Sequence, residues 1–345
     1  IAPGYDETVA FDSLGAPRLV TIEEGVENEA PLLALQPRVS GSLPEDLATA
    51  VQLELTGMYT ATAPFPKDSA AQVLTFSFVQ DGVINDTLRV YLPLKTMESI
   101  GLDGRELDLE EWSSKALSGE LPLLFFSYPG VVDGWEQVSV AFASQGYGVV
   151  AHSPVSEWGI DVDEHAMDAR IALALARKGA LGPFFRDAPA VALGGSFSSG
   201  ILNRLLRDVG RDDIAAWVTI GGIGDAFAGA HDFYTGAITV PPAYELVIPA
   251  MGNPKTHPIP FLRLSPTYVA GQLPPTLIIH TDADAIIPIS QAEDLASALR
   301  AAGVPVETFY YTDVSHYLQI DDNMTDEARA MFYHILDFVE QYGHE

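Results

Sequence analysis

Three short stretches hold residues whose types and placement could perform nucleophilic chemistry. In VALGGSFSSG, Val191 to Gly200, an apolar strand pattern runs directly into a helical one through Gly194-Gly195-Ser196-Phe197-Ser198. A serine at so sharp a strand-to-helix turn has its hydroxyl lifted above the sheet, and small neighbours are needed because strand and helix approach closely. The usual spacing is G-x-S-x-G; here Ser198 stands in the last position. Counted from the strand, Ser196 falls on the turn, whereas Ser198 and Ser199 already lie in the helix. Alone, such a stretch reads more often as a Gly/Ser-rich loop. The second stretch, PTLIIHTDADAIIP, puts Asp282 and Asp284 after a strand, where open α/β sheets build their sites. Loop aspartates by themselves are ordinary turn or capping chemistry. In the third, TDVSHYL, His316 follows the last strand, and a lone histidine is more often structural. The remaining histidines, His152, His165, His231, His257, His280, His334 and His344, have no such placement. The order is what joins the three stretches. Serine, aspartate and histidine each end a strand and precede a helix, the chain order in which an imidazole oriented by a carboxylate activates a serine hydroxyl.

The elements that must position these residues follow from periodicity. VLTFSFV and DTLRVYLPL, joined across QDGVIN, form a strand pair with a Gly-containing turn. An acidic stretch follows, Thr96 to Glu120, an insertion with a short helix around LDLEEWSSKAL. From LPLLFFSY onward, continuous apolar strands alternate with amphipathic helices to the end of the chain, which predicts a mostly parallel central sheet with helices on both faces. Residues 1–70 are Pro- and Glu-rich with weak periodicity, apart from a strand-like AVQLELTGMYTATA, and are expected to be an N-terminal extension of a domain spanning 71–345. About fifty residues, roughly 223–273, are irregular and rich in Phe, Tyr, Pro and Gly, and are read as a small cap over the site.

Composition removes several function classes. Of 345 residues 48% are hydrophobic, enough for a sizeable core, and 47 Asp and Glu face 18 Lys and Arg for a formal net charge of −29. That field repels phosphate backbones and anionic surfaces, so nucleic-acid binding is not expected. It fits plain solubility or, with lysine so scarce, a saline habitat. There is no cysteine, which removes disulfides, thiolate metal sites and cysteine nucleophiles. The acidic group Asp161, Asp163 and Glu164 lacks convergent ligand spacing and reads as a helix N-terminus, so neither metal nor organic cofactor is expected. No apolar run reaches the ~20 residues of a membrane span. The first residue is Ile rather than Met, which suggests a processed, secreted or periplasmic protein.

From about Val73 onward the chain resembles α/β-hydrolases, in particular dienelactone-hydrolase-like esterases, acetyl-ester hydrolases and the catalytic domains of prolyl-oligopeptidase-like proteins. In those families the loop matching HTDADAIIP reads HGxxDxxVP, which implies that the acid is Asp284 rather than Asp282, and TDVSHYL implies His316 as the base. The resemblance also implies that the Val131 and Phe197 N–H groups bind the oxyanion, with Tyr128 of SYPG lining the pocket. The expected function is hydrolysis of a small ester by Ser196, His316 and Asp284. The alternatives are a prolyl-oligopeptidase-like peptidase, for which the residues before LPLLFF are too few to build the usual propeller, and a non-catalytic binding protein of the same fold. Asp225 is a rival acid, because platelet-activating-factor acetylhydrolase-like enzymes use the end of that earlier strand; an N-cap role there is the ordinary expectation.

Overall fold

The computed structural model describes residues 5–11, 17–24, 58–60, 71–80, 83–93, 115, 118–127, 136–154, 162–177, 179, 181, 184–242, 245–312, 316 and 325–343. Strands β1 (Tyr5–Phe11) and β2 (Pro17–Glu24) form an antiparallel pair of their own, within a region where the sequence pattern predicts little. The other strands are β3 (Met58–Thr60), β4 (Ala71–Gln80), β5 (Val83–Pro93), β6 (Leu123–Ser127), β7 (Gly148–Pro154), β8 (Ala190–Gly195), β9 (Ile214–Ile220), β10 (Thr276–Thr281) and β11 (Val306–Tyr311). They make one sheet in the order β11-β10-β9-β8-β6-β7-β5-β4-β3. The strands from β6 to β11 run parallel, and β5, β4 and β3 add antiparallel pairings at one edge. β4 and β5 are the hairpin predicted across QDGVIN, closing at Gln80↔Val83. Most of AVQLELTGMYTATA and LDLEEWSSKAL lies outside the described residues.

Alternation along the parallel strands sends successive side chains to opposite faces. Leu123 and Phe125 of β6, Ala192 of β8 and Trp217 of β9 pack on one face. Leu124 and Phe126, Val191 and Leu193, and Val218 pack on the other. The first face is covered by helices α2 (Val162–Arg177) and α3 (Ser198–Val209), together with Ala292, Leu295 and Leu299 from the helix after β10. The second is covered by α1 (Glu136–Ser144) and by Met331, Phe332, Ile335 and Val339 from the C-terminal helix. Each fully buried Leu or Phe contributes about 1.5–3 kcal/mol, so a sheet sandwiched this way is a rigid platform.

Between β9 and β10 the chain is helical where the sequence reads as irregular: α4 (Ala226–Thr235), α5 (Val247–Ala250), α6 (Pro258–Arg263) and a 3-10 turn, Pro266–Gln272. α5 and α6 are too short for periodicity to declare them. Phe227, Met251, Phe261 and Leu262 form a satellite cluster against which Phe197 packs. Asp163, in the first turn of α2, fastens this segment to the body. Its carboxylate lies 2.8 Å from Arg263 Nε and 3.2 Å from Arg204 Nε, and Arg204 Nε lies 3.4 Å from Asp208. Burial lowers both arginines to about 10, so both stay charged at neutral pH. Two helices follow β10: α7 (Ser290–Ala301) before β11 and α8 (Asp326–Gly343) after it.

Candidate active site

At their C-terminal ends the strands are in step: Gly195 pairs with Ile220, Ile279 with Ile220, and Thr281 with Tyr311. Ser196 and Gly221 therefore leave the sheet side by side, while β10 runs on two residues past the Ile220 pairing before Asp282. Ser196 has a φ of +50°, alone among the described non-glycine residues. Backbone in that region costs about 1–3 kcal/mol and persists only where surroundings enforce it. The enforcement is visible. The Ser196 N–H donates to Ile220 O (3.2 Å) and Gly221 O (3.1 Å), and a Cβ on Gly195 would stand 1.8 Å from Ile220 O. The Ser198 hydroxyl accepts from Gly195 N–H at 2.8 Å and donates to Gly195 O at 2.9 Å. That of Ser199 donates to Ser196 O at 2.7 Å and accepts from Ile223 N–H at 2.9 Å. Both of these serines are fully buried and bonded to backbone, whereas Ser196 is partly exposed.

Beyond β10 the chain curls so that the Asp284 carboxylate is shielded from water. Its Oδ1 accepts from the N–H groups of Ile286 and Ile287, both at 2.8 Å, and its Oδ2 lies 2.5 Å from His316 Nδ1. Burial works to raise this carboxyl, but the His316 bond and the two N–H groups outweigh it and hold Asp284 below its ordinary range. A carboxylate only accepts, so His316 Nδ1 carries the proton and Nε2 is left as an acceptor. His280, at the end of β10, reaches the same group. Its Nε2 donates to Ile287 O (2.8 Å) and lies 3.4 Å from Asp284 Oδ2. Burial, the largest influence, pushes the His280 value down and keeps the ring neutral. Sequence reasoning passes over His280, although its spacing of four from Asp284 is the signal that would have found it.

Gly221 joins the two halves. Its carbonyl accepts from Ser196 N–H, and with φ +56° it turns so that a Cβ would sit 3.0 Å from His316 Nδ1 and 3.3 Å from Asp284 Oδ2. Only glycine serves there, on both conformational and steric grounds. The Gly221 backbone thus stands against Ser196 on one side and against the His316–Asp284 pair on the other. Asp282 does not join them; it is exposed, with its N–H donating to Tyr311 O at 3.1 Å. Asp225 caps α4, its Oδ1 accepting from Phe227 N–H (2.9 Å) and Ala228 N–H (3.2 Å) and its Oδ2 from the Tyr268 hydroxyl (2.7 Å). Phe197 follows the serine and is partly buried; Val131 and Tyr128 lie outside the described residues. Among the described residues no cluster of His, Asp and Glu could hold a metal ion, and no helix is long and apolar enough to cross a membrane.

Parallel strands covered on both faces, with a strained serine between β8 and α3, define the α/β-hydrolase fold, and this chain has it. The profile of the prolyl oligopeptidase family matches residues 234–342, about a third of the chain, a span that includes Asp284 and His316 but not Ser196. No curated protein matches the chain. Among solved structures, a puromycin-hydrolyzing peptidase of Mycobacterium tuberculosis is similar over 80% of this chain, with 18% identity and a TM-score of 0.57. Acylaminoacyl peptidase of Pyrococcus horikoshii is similar over 79%, with 16% identity and a TM-score of 0.55. The chain spans only 40% and 41% of the length of these two peptidases. A propionate-bound esterase of Thermogutta terrifontis is similar over 80% of this chain and 96% of its own, with 17% identity and a TM-score of 0.53. These likenesses show the fold, which peptidases and an esterase share.

Proposed function

We propose that the protein hydrolyses carboxylic esters of small molecules, with Ser196 as nucleophile, His316 as general base and Asp284 as the acid that orients it. The observation that carries this reading is the Gly221 junction, which abuts the Ser196 backbone on one side and the His316–Asp284 pair on the other. His316 Nε2 takes the Ser196 proton as the oxygen attacks the ester carbonyl. The resulting imidazolium is stabilised by the Asp284 carboxylate, and the proton then passes to the leaving alcohol. Water repeats the sequence on the acyl-enzyme. The Phe197 N–H, in the opening turn of α3 where N–H groups lack intrahelical acceptors, is one oxyanion donor and Val131 N–H the other; losing one such donor costs ~10²–10³ in rate. Residues 223–273 act as a cap, a reading supported by the packing of Phe197 against the cluster that holds Phe227 and Phe261.

The likeness to the Thermogutta esterase, over 80% of this chain, supports an ester substrate. The family match over residues 234–342 favours peptides instead. A panel of p-nitrophenyl esters from acetate to palmitate plus one peptide p-nitroanilide separates them. Turnover of the esters, lost in Ser196→Ala, supports the proposal. Turnover confined to the anilide moves the protein to the peptidases, and no turnover of any member contradicts it.

A further inference from the structure

We infer that Ser199, which takes no part in bond making, is a positioning residue for the Ser196 nucleophile; this rests on the hydrolase reading above. Two serines follow the turn where a glycine is usual, and their hydroxyls do different things. Ser198 closes the turn upon itself, bonding only Gly195. Ser199 reaches across to another strand end. Its hydroxyl donates to Ser196 O at 2.7 Å, with Ile223 O a second acceptor at 3.2 Å, and accepts from Ile223 N–H at 2.9 Å. The loop it grips is short and close-fitting: a Cβ on Gly222 would lie 3.1 Å from Ser199 Cβ, and Gly221 is the residue against His316 and Asp284.

A single buried hydroxyl therefore ties the carbonyl of the nucleophilic residue to the loop behind the acid–base pair. Ser196 sits at φ +50°, a conformation it would leave if released. Taking away the Ser199 hydroxyl leaves the Ser196 carbonyl only the longer bond from Ser199 N–H, at 3.3 Å, and strands the partly buried Ile223 N–H. The turn and the loop behind His316 are then held together only by the Ser196 N–H bonds to Ile220 O and Gly221 O, and displacements well below 1 Å between nucleophile and base are costly when misplacement by 1 Å can reduce rates ~100-fold. The expected signature is a loss in the chemical step with substrate binding intact.

The test measures the rate of fluorophosphonate labelling and the kcat and KM of the best p-nitrophenyl ester for wild type, Ser199→Ala and Ser199→Cys. Asn203→Ala serves as comparator: it removes a buried bond from the same helix, Asn203 Nδ2 to Arg263 O at 3.0 Å. We expect Ser199→Ala to lower labelling rate and kcat together by about tenfold or more at unchanged KM. Ser199→Cys, which keeps a weak donor and acceptor at the same position, should fall between it and wild type. Asn203→Ala should lose a few degrees of Tm without slowing labelling. Should Ser199→Ala be recovered only as aggregate, a labelling rate for Ser199→Cys at least threefold below wild type decides in favour. A wild type that labels, with Ser199 variants labelling at its rate, overturns the inference and spares the hydrolase. A folded wild type that neither labels nor turns over ester overturns both.

Discussion

Asp225 and Asp284 follow neighbouring strands, β9 and β10, and are built alike up to one atom. In each, Oδ1 accepts from the N–H groups two and three residues onward, and Oδ2 takes its short hydrogen bond from one side chain, with His280 Nε2 a further neighbour of Asp284 at 3.4 Å. That side chain is the Tyr268 phenol for Asp225 and the His316 imidazole for Asp284. A phenol of raised pKa gives one fixed hydrogen bond and nothing more; an imidazole can take a proton on its far nitrogen and leave the carboxylate to stabilise the cation. Burial dominates at Asp225 and raises it, whereas at Asp284 the histidine and the N–H groups win and lower it. Local turn chemistry thus makes a capped aspartate twice over, and a partner supplied from elsewhere in the chain decides which one can take part in acyl transfer.

Substituting each aspartate with Asn breaks the comparison most severely. Asp284→Asn should lose about 10⁴ in turnover, the loss typical when a serine triad keeps its shape without its carboxylate. Asp225→Asn, which can still cap α4, should stay within about tenfold. Steady-state rates on one ester check both, and the reverse ranking would move the acid to Asp225.

The same pair can be sharpened through pH. Asp284 has a folded value below its unfolded ~3.9, so the stability it contributes is present above ~3.9 and lost as pH falls through the folded value. Asp225 is raised, so its contribution is present below ~3.9 and lost as pH rises through the folded value. Melting temperatures across pH 3–6 should therefore diverge in opposite senses. Relative to wild type, Asp284→Asn worsens as pH rises and Asp225→Asn improves. Parallel curves would mean that the two environments do not differ as described.

Much of this site is legible in the sequence, and the parts that are not share a cause. The strand and helix pattern places β6 through β11 and their helices, because each is long enough to show its period. Ser196, Asp284 and His316 stand out by their position at strand ends. His280 does not, because it lies inside the strand and only its spacing of four from Asp284 hints at the contact, which the curl of HTDADAIIP then makes. Ser199 does not either, because its partner at Ile223 lies on another strand end. The helices α5 and α6 are hidden by their shortness and by prolines such as Pro249 and Pro258, which punctuate the pattern. The β1–β2 pair is hidden because its alternation is too weak to separate from the surrounding polar sequence.

A smaller effect is expected on the Asp225 side. Tyr268→Phe leaves Asp225 Oδ2 without its hydroxyl partner in a buried setting, which should cost about 1–3 kcal/mol. At this size of domain that is a drop of several degrees in Tm, with turnover within about threefold of wild type. A large loss of turnover would mean that the Asp225–Tyr268 unit serves the chemistry as well as the fold. The smallest expected change is global. With a formal charge of −29, raising salt from 0.1 to 1 M shortens the screening length from ~10 to ~3 Å and should raise Tm by a few degrees. A flat or falling Tm would leave the acidic surface without a part in salt tolerance.

The most direct measurement is where a fluorophosphonate attaches. Wild-type protein labelled at neutral pH, digested and sequenced by mass spectrometry should carry the phosphonyl group on Ser196 alone, and His316→Ala should carry almost none under the same conditions. A label on Ser198 or Ser199, or labelling that survives Ser196→Ala, would contradict the assignment of the nucleophile.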